Sequence, residues 1–140
     1  WLGFVFGVVV TIAVVTGADQ GGYIMFSARP VMTVLVCLIK GTAAGLVAGA
    51  LYRAIGKKHA LAGVIVAAAA APVVNTGLFV LAMVLFYQPQ LQAWAGGTAV
   101  AAYIVTTLVG VNFLLELGVN LVLSPTITRL IAAGKKGPVD

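Results

Sequence analysis

A short basic segment separates two long apolar runs in the middle of the sequence. The segment is RAIGKKH, residues 53–59; one run precedes it from Pro30, and the other follows it as far as Tyr87. About 20 consecutive apolar residues are enough to cross the hydrocarbon core of a bilayer, and basic residues gather in the cytoplasmic loops between such stretches. The pattern therefore predicts two membrane-spanning helices joined by a cytoplasmic loop.

The composition agrees with a membrane protein. Of the 140 residues, 62% are hydrophobic and 8% are charged, whereas about a quarter of the residues in a soluble domain are charged. The net charge of +5 comes mostly from residues at the ends of apolar runs, so it does not indicate a nucleic-acid surface. Cys37 is the single cysteine, which leaves no disulfide framework and no cysteine metal cluster within the chain. We expect no metal and no cofactor.

The apolar runs predict an all-α membrane protein, a bundle of transmembrane helices that forms one domain. Four spans are expected, at about 1–17, 31–52, 60–87 and 98–123. A tail follows at 124–140, and the last helix could continue into it for a further turn or two. Because the first span starts without a basic flank, we interpret the chain as the later part of a longer protein. Pro72 and Gly77 predict a bend or a partly unwound turn within the third span.

The distribution of basic residues predicts the orientation. The segment 53–59 and the tail are basic, whereas the connections 17–30 and 88–97 carry no excess of positive charge. Positive residues remain on the cytoplasmic side. We therefore expect a multi-pass protein of the cell membrane with a cytoplasmic C-terminus.

Small residues recur along one face of the second span. Gly41, Gly45 and Gly49 are four residues apart and would share one side of a helix. In lipid such a side allows another helix to approach closely. The three glycines are therefore predicted to be helix-packing positions.

A few polar residues lie inside the predicted spans: Lys40, Asn75, Thr76, Asn112 and Glu116. By helical rise Lys40 is ~13 Å into its span, Asn75 and Asn112 are ~18–20 Å from the outer ends of theirs, and Glu116 is ~27 Å from its outer end. We predict that these five residues bind a substrate, because polar groups within a membrane usually face a cavity or each other. The structural alternative is that Lys40 and Glu116 neutralise each other while the amides join helices.

The residues available for chemistry exclude most enzymes. The sequence has one histidine, one carboxylate within the predicted spans and no phosphate-binding loop. Neither a hydrolase triad nor a nucleotide site can be built from them. We therefore predict a protein that is not an enzyme and whose energy source is a gradient or a partner subunit.

Several phrases of the sequence are similar to those of a known family. They are GFVFGVVVTI (3–12), LIKGTAAGLVAGALYRAIGKK (38–58), APVVNTGLFVLAMVLF (71–86) and VNFLLELGVNLVLSP (111–125). In these phrases the chain resembles the substrate-specific S component of energy-coupling factor (ECF) vitamin transporters. The resemblance implies six transmembrane helices, of which the four spans here would be the third to the sixth.

The resemblance also implies a function. An S component captures a vitamin or related micronutrient at the outer face and joins a transmembrane coupling subunit and two ATPase subunits, which hydrolyse ATP. In this sequence the pocket would use Lys40, Asn75, Thr76 and Asn112, with Glu116 below it and the connections 17–30 and 88–97 as lids. Two alternatives are a stand-alone secondary transporter with Glu116 as its proton or ion carrier, and a non-transporting membrane scaffold.

Overall fold

The computed structural model describes residues 1–134, apart from several side chains after position 106. Within that part the protein consists of helices without a β-strand. The elements are α1 (Leu2–Val15), α2 (Gln20–Ala28), α3 (Pro30–Ile55), α4 (Ala60–Phe86), α5 (Gln88–Ala95), α6 (Val100–Tyr103), a π-helical segment (Ile104–Val111) and α7 (Asn112–Gly134). The long helices pack side by side in the order α1, α3, α4, α7.

Glycines bring α1 and α3 into close antiparallel contact. A Cβ atom on Gly41 would lie 2.8 Å from the carbonyl oxygen of Gly3, and one on Gly45 would lie 2.7 Å from the Cα atom of Gly3. Gly7 meets the backbone of α3 one turn earlier, at Cys37. The two backbones touch directly, so each of these positions requires glycine. Gly49 lies outside this contact, and no other helix comes within 4 Å of the place where its Cβ would be.

Helices α3 and α4 form an antiparallel hairpin. At the turn a Cβ atom on Gly63 would lie 2.6 Å from the Cα atom of Gly56. At the opposite end the hydroxyl of Thr33 donates to the carbonyl of Arg29 at 2.9 Å and is hydrogen-bonded at 2.7 Å to the hydroxyl of Tyr87, whose oxygen lies 3.4 Å from the same carbonyl. These contacts fix the register of the hairpin at both ends, which brings the middle of α3 opposite the middle of α4.

Helix α4 continues through Pro72, so the predicted unwound turn is wrong. Proline lacks an N–H group and therefore leaves the carbonyl four residues earlier without its usual helical partner. That carbonyl belongs to Ala68, and the side-chain amide of Asn120 donates to it across the helix interface at 3.4 Å. A neighbouring helix thus supplies a donor to this carbonyl, and α4 remains helical through Pro72. The alternative that the sequence predicted, a bend without unwinding, stays a prediction.

The two predicted loops at the other end of the hairpin contain short helices. Asp19 caps α2 by accepting a hydrogen bond from the backbone N–H of Gly22 at 2.9 Å, and α5 has proline in its first turn, where proline is well tolerated. Both helices are held by an apolar cluster made of Met25, Met83, Tyr87 and Leu91. Tyr87 and Leu91 are fully buried, so α5 is anchored firmly to the end of α4.

The fourth predicted span corresponds to α6, the π-helical segment and α7 together. The helical run does not end at position 123, because α7 continues past Ser124 and Pro125 to Gly134. Ser124 is fully buried and donates to the carbonyl of Asn120 at 2.9 Å. The predicted tail, 124–140, is therefore helical as far as Gly134, and residues 135–140 lie outside the described part of the chain.

Two helices in the described part of the chain, α3 and α4, are long and apolar enough to cross a membrane. Helices α1 and α2 meet at a bend of 82°, and together they would count as a third, broken span. Large apolar side chains remain exposed on the sides of the bundle, including Val31 at 74% and Leu85 at 60%. A surface of this kind fits a lipid environment.

Candidate functional site

A cavity of about 250 Å³ lies between α1, α3 and α4, beneath α2 and α5. Its polar lining is formed by Asp19, Thr33, Cys37, Lys40, Asn75 and Thr76. Its apolar lining includes Phe79 from α4 and Trp94 from α5. Five helices therefore contribute to one small chamber that contains charged and polar groups.

Lys40 reaches the cavity from the middle of α3. Its ammonium nitrogen lies 5.1 Å from the centroid of the Phe79 ring, close enough for a cation–π interaction. The antiparallel register of α3 and α4 places these residues at the same level. Within the described residues, the ammonium group has no hydrogen-bond or ion-pair partner. An aromatic face compensates only in part for an ammonium removed from water, so the cavity retains the capacity to bind an anionic group.

Asn75 supplies a second unsatisfied polar group. Its side-chain carbonyl oxygen is buried and accepts no hydrogen bond from the described residues. An unpaired buried acceptor costs about 1–3 kcal/mol, so such a group calls for a partner or a role, such as a bound water, an ion or a ligand. Thr76 is next to it and also lines the cavity. These two residues offer a hydrogen-bond acceptor and a hydroxyl to a small molecule.

Helices α2 and α5 lie at one end of the cavity. Asp19 and Gly22 at the start of α2 line it, and so does Trp94. The Trp94 ring lies beside Gly21, where an added Cβ atom would be 3.9 Å from it. Asp19 is exposed, so this side is the mouth, and Lys40 and Asn75 lie deeper.

The structure brings three of the five predicted site residues together: Lys40, Asn75 and Thr76 line the same cavity. The side chains of Asn112 and Glu116 lie outside the described part of the molecule, so their predicted roles stay predictions. Both predicted lid regions contribute to the lining.

The predicted site residues did not include three other polar and two aromatic side chains of the lining, which are Asp19, Thr33, Cys37, Phe79 and Trp94. Asp19 and Trp94 were predicted only as parts of the two lids. A signal existed for Asp19, because aspartate before a Gln-Gly-Gly sequence is a good helix N-cap. This N-cap signal predicts a helix where the connection 17–30 was predicted to be a loop. Trp94 lies in a short polar segment, where tryptophan is typical of a membrane interface, and no pattern in the sequence indicates that it faces a cavity.

The side chains around the cavity suit the binding of a small molecule. The described residues contain no group of three or more histidine, cysteine, aspartate or glutamate side chains that could hold a metal ion. What they do provide is a cation, an amide acceptor and aromatic walls, which suit a small molecule with an anionic group. Comparison of the chain with protein-family models, with curated proteins and with solved structures found no match.

Proposed function

We propose that the protein is the substrate-binding membrane subunit of an ECF-type importer, which captures a vitamin or related micronutrient for uptake driven by partner subunits. The observation that supports it is the cavity in which the ammonium group of Lys40 and the carbonyl of Asn75 have no hydrogen-bond or ion-pair partner within the described residues. In this proposal Lys40 neutralises an anionic group of the substrate, such as a carboxylate, and the carbonyl of Asn75 accepts a hydrogen bond from a separate N–H or O–H group of the substrate.

The electrostatics support an anionic ligand. An ammonium group inside a membrane is costly unless it is paired or faces water. A bound carboxylate would form a charge-assisted hydrogen bond with Lys40, and such bonds contribute about 1.5–3 kcal/mol. The cavity volume of about 250 Å³ is at the small end for ligand pockets, which favours a small molecule over a polymer.

The position of the mouth supports capture from outside. Helices α2 and α5 cover the end of the α3–α4 hairpin that is opposite the basic turn 53–59. If basic residues remain in the cytoplasm, the mouth faces the outer side. Two ATPase subunits would hydrolyse ATP, and a transmembrane coupling subunit would link them to this protein.

A Lys40→Ala substitution tests the site. A small molecule that copurifies with the wild-type protein in detergent should be reduced by about tenfold or more in the full-length Lys40→Ala protein. The reason is the loss of a charge-assisted hydrogen bond of about 1.4 kcal/mol or more. Mass spectrometry of the extracted small molecules measures the amount. Lys57→Ala, which removes an exposed charge from the opposite end, is the matched control and should change nothing.

Two results would contradict the proposal. Equal amounts of copurified molecule in the Lys40→Ala and Lys57→Ala proteins would remove Lys40 from the site. Uptake of that molecule into vesicles that contain this protein alone, without ATP, would instead identify a stand-alone secondary transporter.

A further inference from the structure

The cavity contains charges of both signs that do not neutralise each other. Lys40 and Asp19 line the same chamber, yet no ion pair joins them, and neither is paired with another charge within the described residues. A carboxylate offers about four acceptor positions on its two oxygens. Gly22 uses one of them, through a single hydrogen bond to Oδ1. Asp19 therefore keeps most of its capacity to accept hydrogen bonds.

The two charges are at different depths. Lys40 lies ten residues beyond Pro30, which corresponds to about 15 Å of helical rise from the start of α3. Asp19 lies in the connection between α1 and α2 and is exposed at the mouth. The rest of the lining includes the polar side chains of Thr33 and Cys37 and apolar side chains, among them Val14, Val36 and the ring of Trp94. The chamber thus has a positive charge in its inner part, a negative charge at its mouth and apolar side chains in the lining that they share.

From this arrangement we propose that the cavity selects dipolar small molecules, in which an apolar body separates an anionic group from a cationic amine. The anionic group lies at Lys40 and the amine lies at Asp19. This inference rests on the proposed binding function and specifies its substrate class. Asp19 is then a specificity residue, because its charge attracts the amine and repels a second anionic group.

Three probes of similar shape separate the contributions of the two charges. They are 4-(aminomethyl)benzoate, which carries both charges, 4-methylbenzoate, which carries the anion alone, and benzylamine, which carries the cation alone. The measurement is the concentration of each probe that gives half of its maximal thermal shift with the full-length protein in detergent. Protection of the Cys37 thiol from a methanethiosulfonate reagent gives a second readout at the cavity, because Cys37 lines it one turn before Lys40.

Asp19→Asn is the informative variant. Asparagine caps a helix about as well as aspartate, so α2 keeps its first turn while the mouth loses its charge. In the wild type we expect 4-(aminomethyl)benzoate to bind about tenfold more tightly than 4-methylbenzoate. In the Asp19→Asn protein that advantage should disappear, while the affinity for 4-methylbenzoate stays the same or rises.

The outcomes distinguish this proposal from the proposed function. If the two benzoates bind equally and Asp19→Asn changes neither, the dipolar selection is wrong and an anion-binding cavity remains. If no probe binds, the dipolar selection is also wrong, whereas the copurified molecule still decides the role of Lys40. A failure of the proposed function would appear in a different experiment, in which the wild-type and Lys40→Ala proteins copurify equal amounts of the small molecule.

Discussion

Two asparagines on neighbouring helices show how the same side chain serves different purposes within the bundle. Asn120 donates to the carbonyl of Ala68, the group that Pro72 leaves without a helical partner, and so it supports the fold. Asn75 lies two turns further along α4 with its carbonyl buried and unpaired. Because an unpaired acceptor lowers stability, Asn75 is better explained by a ligand than by packing.

The two asparagines should respond in opposite ways to leucine, which has a similar size and no polar atoms. Asn75→Leu removes an unsatisfied acceptor, so we expect stability to stay the same or rise by about 1 kcal/mol, while the copurified molecule is lost. Asn120→Leu leaves the carbonyl of Ala68 unpaired, so we expect a loss of about 0.6–1.7 kcal/mol. Melting temperatures in detergent measure both effects. Equal decreases in the two variants would show that the carbonyl of Asn75 has a structural partner.

At the level of the helices, the contact between α1 and α3 depends on the absence of side chains. Gly41→Ala would place a methyl group 2.8 Å from the carbonyl oxygen of Gly3, and the helices would have to separate. Overpacking of this kind costs about 1–3 kcal/mol. Gly77→Ala is the matched control, because no atom of the described part of the chain lies within 4 Å of its Cβ position and alanine is the better helix former. We expect a lower melting temperature for the first variant alone, and equal melting temperatures would contradict the close contact.

The sequence predicted the long helices well and their neighbours poorly. The boundaries of α3 and α4 agree closely with the predicted spans, since both are determined by uninterrupted apolar residues between polar turns. Such helices are apolar on every side, so the pattern cannot show which face packs against which helix. The glycine spacing indicated a packing face, but it did not reveal that Gly49 lies beyond the contact.

The candidate site was predictable only where a polar residue interrupts an apolar run. Lys40, Asn75 and Thr76 stand out for that reason, and they line one cavity. Asp19 and Trp94 lie in short segments where polar and aromatic residues are ordinary. Their role depends on how α2 and α5 fold back over the hairpin, which is determined by the buried contacts of Met25 and Leu91 and not by any local pattern.

For the whole molecule, the two ends of the α3–α4 hairpin differ in charge and in shape. One end is the exposed basic turn with Arg53, Lys57, Lys58 and His59. The other end carries α2, α5 and the cavity mouth. If the hairpin crosses a bilayer, these ends face different compartments, and the proposed capture from outside requires the mouth to be on the outer side.

Cysteine labelling tests that orientation directly. In the full-length protein with Cys37→Ala and any other native cysteine replaced, Lys58→Cys and Gln92→Cys place single thiols at exposed positions on opposite ends of the hairpin. We expect a membrane-impermeant maleimide to label the Gln92→Cys protein in intact cells, and the Lys58→Cys protein only after permeabilisation, because the basic turn remains cytoplasmic. Labelling of both variants in intact cells would mean that α4 does not cross the membrane. The reverse pattern would place the cavity mouth in the cytoplasm, and a site that opens there cannot capture a nutrient from outside the cell.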